Sequence, residues 1–194
     1  MDKYLYLLIL GFSFIIPLIY TFHNRLKFYK NFTSFLLGFS LMFFVFIPWD
    51  IWFTDLGVWG FNERYYIGLS IFGLPIEECM FFFVIPYVCI FTYHVVYTLS
   101  KPSRFSSVKF TYFLSTLLLV LGVVFLHKWY TSITFISLSV LLLICTRFVN
   151  MTLFYKTFLI ILIPFCVVNG LLTGSFIEDQ VVWYNNDYNL GIRL

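Results

Sequence analysis

Two adjacent glutamates, Glu77 and Glu78, open a run of Cys, Met, Phe, Val and Ile that is otherwise apolar. Ionisable groups are costly inside a membrane and usually serve a function there. Burial in apolar surroundings favours the protonated form of a carboxyl group, and a second carboxyl nearby strengthens that preference. A proton donor held among aromatic rings can protonate an alkene, and ring faces can stabilise the resulting cation. Acid chemistry on a lipid-soluble substrate is therefore the first hypothesis.

An interfacial position is the alternative interpretation of this pair. Pro75 suits the first turn of a helix, and a helix N-terminus favours negative charge without any catalytic role. The preceding segment, residues 67–76, carries no charge, so we expect it to dip into the bilayer or to pack beneath a lid. Neighbouring helical side chains point roughly 100° apart, so Glu77 and Glu78 are expected to face different surroundings.

The elements that must position these carboxyls are membrane helices. The chain of 194 residues is 61% hydrophobic and only 11% charged, with a mean hydropathy of +0.94, whereas soluble domains carry roughly 25% charged residues. The apolar runs are continuous rather than alternating, which favours helices over a barrel. We predict an all-α polytopic membrane helix bundle with six spans, at residues 4–22, 32–49, 79–100, 110–126, 129–146 and 157–177.

Basic and acidic residues lie in different loops between the predicted spans. Eight of the 12 basic residues follow the first, third and fifth spans, in loops without acidic residues: Arg25, Lys27, Lys30, Lys101, Arg104, Lys109, Arg147 and Lys156. All 9 carboxylates lie in the other loops or in the third span. The positive-inside rule then predicts an outside N-terminus and cytoplasmic basic loops. A net charge of +3 is too small to indicate a nucleic-acid partner.

Two pairs of similar segments indicate an internal repeat. LKFYKNF at 26–32 resembles TLFYKTF at 152–158, and FNERYYIGL at 61–69 resembles YNNDYNLGI at 184–192, at nearly matched spacing. We predict two parallel three-helix repeats, residues 1–100 and 129–194, joined by a connector helix at 101–128 and related by an axis along the membrane normal. The second repeat ends before its third span, so a seventh helix is expected to be missing from this sequence.

The residues around the glutamates resemble the signature of the membrane-integral lycopene cyclase domain, found in heterodimeric cyclases of bacteria and archaea and in fused fungal enzymes. The signature is V-W-G-F-N-x5-G-x6-P-x-E-E-x2-F-F, carried here by residues 58–62, Gly68, Pro75, Glu77, Glu78, Phe81 and Phe82. A second, partial copy, V-V-W-Y-N-N-x4-G-I-R, resembles the start of the family's second domain at residues 181–193. The resemblance covers nearly the whole chain.

This resemblance implies an isomerase, of the intramolecular lyase type, that closes the linear ends of lycopene into β-ionone rings. The net change requires neither a redox cofactor nor a metal. Glu77 and Glu78 would be the catalytic acid–base pair. The substrate-binding residues expected beside them are Trp59, Phe61, Asn62, Tyr65, Phe81, Phe82, Tyr184 and Asn185. The expected partners are the lipid bilayer and a carotenoid, with other carotenoid enzymes or a second copy left open, in a bacterial cytoplasmic (inner) membrane.

Other functions compatible with the sequence remain open. A proton-coupled transporter could relay protons through the glutamates, and an assembly subunit of a pigment pathway could bind carotenoid without converting it. Within the resembling family, hydration, ε-rings and longer C50 carotenoids are further options. Asp50 ends the predicted second span, and we favour an ordinary interfacial role for it. Asn169 in the sixth span is its expected counterpart in the second repeat.

Overall fold

Six α-helices dominate the computed structural model, which describes residues 2–100, 107–175 and 177–188. The predicted all-α membrane helix bundle is confirmed. Short 3-10 turns, Asp2–Tyr4 and Phe28–Asn31, precede the first two helices. The helices are α1 Leu5–Thr21, α2 Phe32–Asp55, α3 Ile76–Leu99, α4 Val108–Val124, α5 Trp129–Cys145 and α6 Met151–Leu172.

The largest differences from the predicted boundaries lie in α2 and α6, and α6 also ends at Leu172 instead of residue 177. Helix α2 does not stop near Trp49 but continues through Pro48 to Asp55, and α6 begins at Met151 instead of residue 157. A proline removes one backbone hydrogen bond, yet membrane helices tolerate it because neighbouring groups satisfy the freed carbonyl. A charge-free run therefore understates helix length where a charged residue lies inside the helix.

Four of the described helical segments are long and apolar enough to cross a membrane: Asp2–Thr21, Phe28–Asp55, Ile76–Leu99 and Met151–Leu172. Helices α4 and α5 have 17 residues each, which corresponds to about 25 Å against a hydrocarbon core of about 30 Å. Large apolar side chains such as Phe12, Phe44 and Ile163 are more than 70% exposed on the outside of the bundle. This outward-facing apolar surface fits a lipid environment, and the chain is an integral membrane protein.

Helix α3 is the centre of the first half of the bundle. It packs most extensively against α1 and also contacts α6 and α2, while α4 packs against α5. One core cluster joins α1, α3 and the loop preceding α3 through Tyr6, Leu10, Tyr65 and Val84. The helix that carries both glutamates is therefore held on three sides.

Two short sheets cover the end of the bundle where α3 begins, which we call the carboxylate end. Strand β1 (Trp59–Phe61) pairs antiparallel with β4 (Val182–Tyr184), and Gly60 lies opposite Trp183. A Cβ atom on Gly60 would collide with the indole ring of Trp183. Glycine therefore allows the two strands to pair at this point.

The hydrogen bonds around this strand pair are matched on the two sides. The Asn62 N–H donates to the Val181 carbonyl at 2.9 Å, and the Asn185 N–H donates to the Val58 carbonyl at 2.8 Å. Each asparagine Oδ1 then accepts the backbone N–H two residues later. The two sets of bonds are thus related by a local two-fold axis between Gly60 and Trp183, two residues that the proposed repeat makes equivalent. This arrangement supports the predicted duplication, which stays a prediction.

The uncharged segment before α3 folds back as a small hairpin. Strands β2 (Ser70–Ile71) and β3 (Leu74–Pro75) pair antiparallel around Phe72 and Gly73. Both turn residues have positive φ, 53° and 82°, as the tight type I′ hairpin turn requires. Phe72 is 80% exposed at the tip, so the hairpin presents an apolar surface outward beside the first turn of α3.

Candidate active site

Both glutamates are buried in the first turn of α3. Pro75 precedes the helix in extended conformation, with φ −55° and ψ 143°, and Ile76 donates its N–H to the Leu69 carbonyl at 2.9 Å. Glu77 is 0% and Glu78 is 8% exposed. The interfacial interpretation requires carboxylates in contact with water, and this burial contradicts it.

Glu78 faces α1. Its Oε2 accepts a hydrogen bond of 2.5 Å from the hydroxyl of Tyr6, which is 1% exposed. The backbone N–H of Tyr6 donates in turn to the Tyr65 carbonyl at 3.2 Å. The loop after β1 therefore holds the start of α1 in place, and this positions the Tyr6 hydroxyl against the Glu78 carboxyl.

Glu77 faces the hairpin. Its Oε1 accepts the backbone N–H of Ile67 at 2.8 Å. Its Oε2 is buried and has no hydrogen-bond partner among the described residues. The expectation that the two carboxyls enter different surroundings agrees with these contacts.

Asp50 supplies a third buried carboxyl from α2. It is only 2% exposed, and its Oδ1 accepts a 2.6 Å hydrogen bond from the indole N–H of Trp59. The favoured interpretation, an interfacial residue at a helix end, is wrong because α2 continues past Asp50 and β1 covers it. Phe61 packs against both the Trp59 cluster beside Asp50 and the Tyr6 cluster beside Glu78.

Aromatic rings line the region beside Asp50. The Trp59 ring lies 5.1 Å from Phe53, 5.4 Å from Tyr130 and 6.3 Å from Tyr184, measured between centroids. Burial, reinforced by Tyr130, raises the pKa of Tyr184 well above its ordinary value, so its phenol stays neutral. Phe61 packs half-buried between this group and the Tyr6 cluster. The lining is electron-rich and carries no fixed positive charge among these residues.

The remaining predicted substrate residues divide into two groups. Tyr65 is buried beside Tyr6, and Phe81 packs against the same cluster. Phe82 instead turns towards Phe46 of α2, with the ring centroids 6.5 Å apart. The side chains of Asn62 and Asn185 accept backbone N–H groups within the two matched turns. For these last three residues the structure therefore shows packing on α2 and hydrogen bonds within the turns, and their role in substrate binding stays a prediction.

Tyr6 and Tyr130 are site residues that the sequence does not predict. Tyr6 is an ordinary aromatic in the first turn of an apolar span, and Tyr130 is similarly placed in α5. The one signal that links Tyr6 to Glu78 in the sequence is the predicted topology, which places both residues near the same face of the membrane. In a chain with 14 tyrosines, that signal cannot select one.

An apolar passage leads away from the site between α3 and α6. A cavity of 120 Å³ extends from Phe81 and Leu172 towards Cys89, also touching α1 at Ser13. It adjoins an open groove of 770 Å³, and both share the lining residues Ile85, Cys89, Ile161 and Phe165. Phe81 follows Glu78 on α3 by about one helical turn, so the near end of the cavity lies about one turn along α3 from the buried acid.

These features define a class of protein: an integral membrane helix bundle with buried carboxyls and aromatic rings at one end. A sequence model of the lycopene cyclase family matches residues 3–96 and 127–194. The chain belongs to the lycopene cyclase family, and its place is in carotenoid biosynthesis. No curated protein and no solved structure matches the chain.

Proposed function

We propose that this protein closes the linear ends of lycopene into β-ionone rings, giving γ-carotene and then β-carotene, by proton-initiated cyclisation without a redox step. The observation that carries the proposal is the buried Glu78 carboxyl with its Tyr6 hydrogen bond. A carboxyl in such apolar surroundings favours its protonated form. Because Tyr6 occupies Oε2, the acidic proton belongs on Oε1.

The reaction balances within the substrate and the protein. The Glu78 proton adds to one carbon of the terminal double bond and leaves a cation on the neighbouring carbon. The electron pair of the next alkene attacks this cation and closes the ring. A carboxylate of the protein then takes a proton from the ring as the ring double bond forms, so the product is an isomer of the substrate.

Glu77 is the second acid–base group in this proposal. Its carboxyl lies beneath the hairpin, within electrostatic reach of the partly exposed Tyr66. We assign it the exchange of protons between Glu78 and the aqueous side. The aromatic group of Trp59, Phe61 and Tyr184 would stabilise the cationic intermediate through its ring faces.

The passage between α3 and α6 suits a linear polyene. It has few polar groups, and from Phe81 to Tyr93 it follows α3 for about 18 Å. An extended hydrocarbon chain lying there would place its terminal double bond towards Glu78. We propose that this passage holds the part of the carotenoid that does not react.

Filling the passage should block the reaction. Cys89→Trp places an indole in the shared wall of the cavity and groove, and we expect ring formation to fall about tenfold or more because the polyene end no longer reaches Glu78. Cys166→Trp is the matched control, since Cys166 lies exposed on α6 outside both linings. Equal ring formation by the two variants in isolated membranes would contradict the assignment of this passage.

Membrane placement follows the same proposal. The basic loops face the cytoplasm of a bacterial inner membrane, and the carboxylate end faces outward. The matched turns at Asn62 and Asn185 support two parallel repeats. Asn169 remains a proposed counterpart of Asp50; in the structure it lies in the wall of the cavity between α3 and α6. Gly191 and Arg193 of the second signature lie outside the described residues.

The direct test is to express the gene at its full length in cells that accumulate lycopene and to analyse the pigments. We expect γ-carotene and β-carotene at the expense of lycopene. Unchanged lycopene in cells whose membranes contain the protein would contradict the proposal. Formation of ε-rings or hydrated carotenoids would show that the product is not the proposed β-ring.

A further inference from the structure

Asp50 is a buried carboxyl for which the cyclisation described above has no task. Its Oδ1 is held by Trp59, while Oδ2 is buried and has no hydrogen-bond partner in the described part of the chain. Buried polar atoms are nearly always paired, so an unpaired one calls for an explanation. One explanation is that this carboxylate oxygen accepts a proton from the substrate during the reaction and therefore has no hydrogen-bond partner in the free protein.

The proton that leaves the ring can return to the group that donated one, or it can pass to a second base. A separate base requires two carboxyls that reach the same end group. One must start protonated and donate, and the other must start ionised and accept the proton that leaves the ring. Glu77 is directed to the Ile67 amide beneath the hairpin, whereas Glu78 faces Tyr6. Asp50 comes from a different helix, and its Oδ1 accepts the Trp59 N–H at 2.6 Å. Phe61 packs against both the cluster of Trp59 and the cluster of Tyr6, the residue bonded to Glu78.

We propose that Asp50 is the base that removes the proton from the newly closed ring, with Trp59 holding its carboxylate in position. This inference rests on the proposed function. Its Oδ2 takes the proton as the carbon–hydrogen electron pair forms the ring double bond. One turnover leaves Asp50 protonated and Glu78 ionised. Asp50 then releases its proton to water, and Glu78 takes up a proton from the aqueous side through Glu77, which restores the starting state.

This role determines the product as well as the rate. The carbon that loses the proton fixes the position of the ring double bond, so a displaced or missing base should move it. Asp50→Asn keeps the size of the side chain and an oxygen for the Trp59 N–H, but it removes the basic carboxylate. We expect β-rings to fall about tenfold or more, with ε- or γ-type double bonds enriched among the residual rings.

The experiment compares Asp50→Asn, Asp50→Glu and Asp55→Asn in lycopene-accumulating cells, with ring isomers separated and normalised to the amount of protein in the membrane. Asp55 is the matched control because it is exposed near the end of the same helix. We expect Asp50→Glu to regain β-rings and Asp55→Asn to match the unmodified protein. Trp59→Phe, which leaves the Asp50 carboxyl intact, should also shift the isomer ratio.

Three outcomes separate the possibilities. Native amounts of β-rings from Asp50→Asn would overturn the inference and leave the proposed function standing. A loss of rings with an unchanged isomer ratio, in both Asp50→Asn and Trp59→Phe, would also overturn it and make Asp50 a structural residue. An absence of rings from the unmodified protein would remove the proposed function and the inference together.

Discussion

Glu78→Gln should leave lycopene uncyclised, with ring formation reduced by about 100-fold or more, the range that a positioned general acid supplies. Glutamine has nearly the shape of glutamic acid, and its amide oxygen can still accept the Tyr6 hydroxyl that lies 2.5 Å from Oε2. The variant loses only the acidic proton. The measurement is the initial rate of ring formation in membranes containing equal amounts of protein.

Glu63→Gln is the matched control for this loss. Glu63 is exposed on the loop after β1, so removing its charge should leave the rate near that of the unmodified protein. Ring formation by Glu78→Gln at the native rate would exclude Glu78 as the proton donor. A similar loss in Glu63→Gln would attribute the effect to general changes in charge or expression.

Glu77→Gln should also reduce ring formation strongly, by about 100-fold, because in the proposed scheme Glu78 then loses its route for receiving protons. The amide oxygen of glutamine can still accept the Ile67 N–H, now at 2.8 Å from Oε1, so the hairpin should stay in place. Thermal stability of the detergent-extracted protein checks this point.

Two results would contradict the role given to Glu77. If Glu77→Gln forms rings at the native rate, the carboxyl serves only to anchor the hairpin. If Glu77→Gln loses thermal stability together with its rate, the carboxyl acts through the fold and the proton-exchange role is likewise contradicted. A rate loss in Glu77→Gln with unchanged stability is the outcome that the scheme requires.

The helices and the buried pair could be predicted because they depend on local sequence. Continuous apolar runs specify membrane helices whatever their neighbours are, and Pro75 with Glu77 and Glu78 marks the start of α3. The predicted end of α2 is too early because Asp50 interrupts the apolar run although it lies inside the helix. Its burial depends on β1, which the sequence does not place against α2.

Contacts between distant segments could not be predicted in the same way. The Tyr6–Glu78 and Asp50–Trp59 hydrogen bonds each join residues from different elements, and many other aromatics have equivalent local sequence. Similarity between the segments around Asn62 and Asn185 predicted that they are equivalent. That they pair with each other through β1 and β4 required the three-dimensional structure.

The measurement that tests proton-initiated cyclisation most directly is the mass of the rings formed in heavy water. Membranes containing the protein are equilibrated in D2O and supplied with lycopene. The products are then separated, and their molecular masses are measured by mass spectrometry. The account predicts up to one deuterium atom in each new ring and otherwise the mass of lycopene. Rings formed without any deuterium, or products differing from lycopene by two hydrogens, would contradict it.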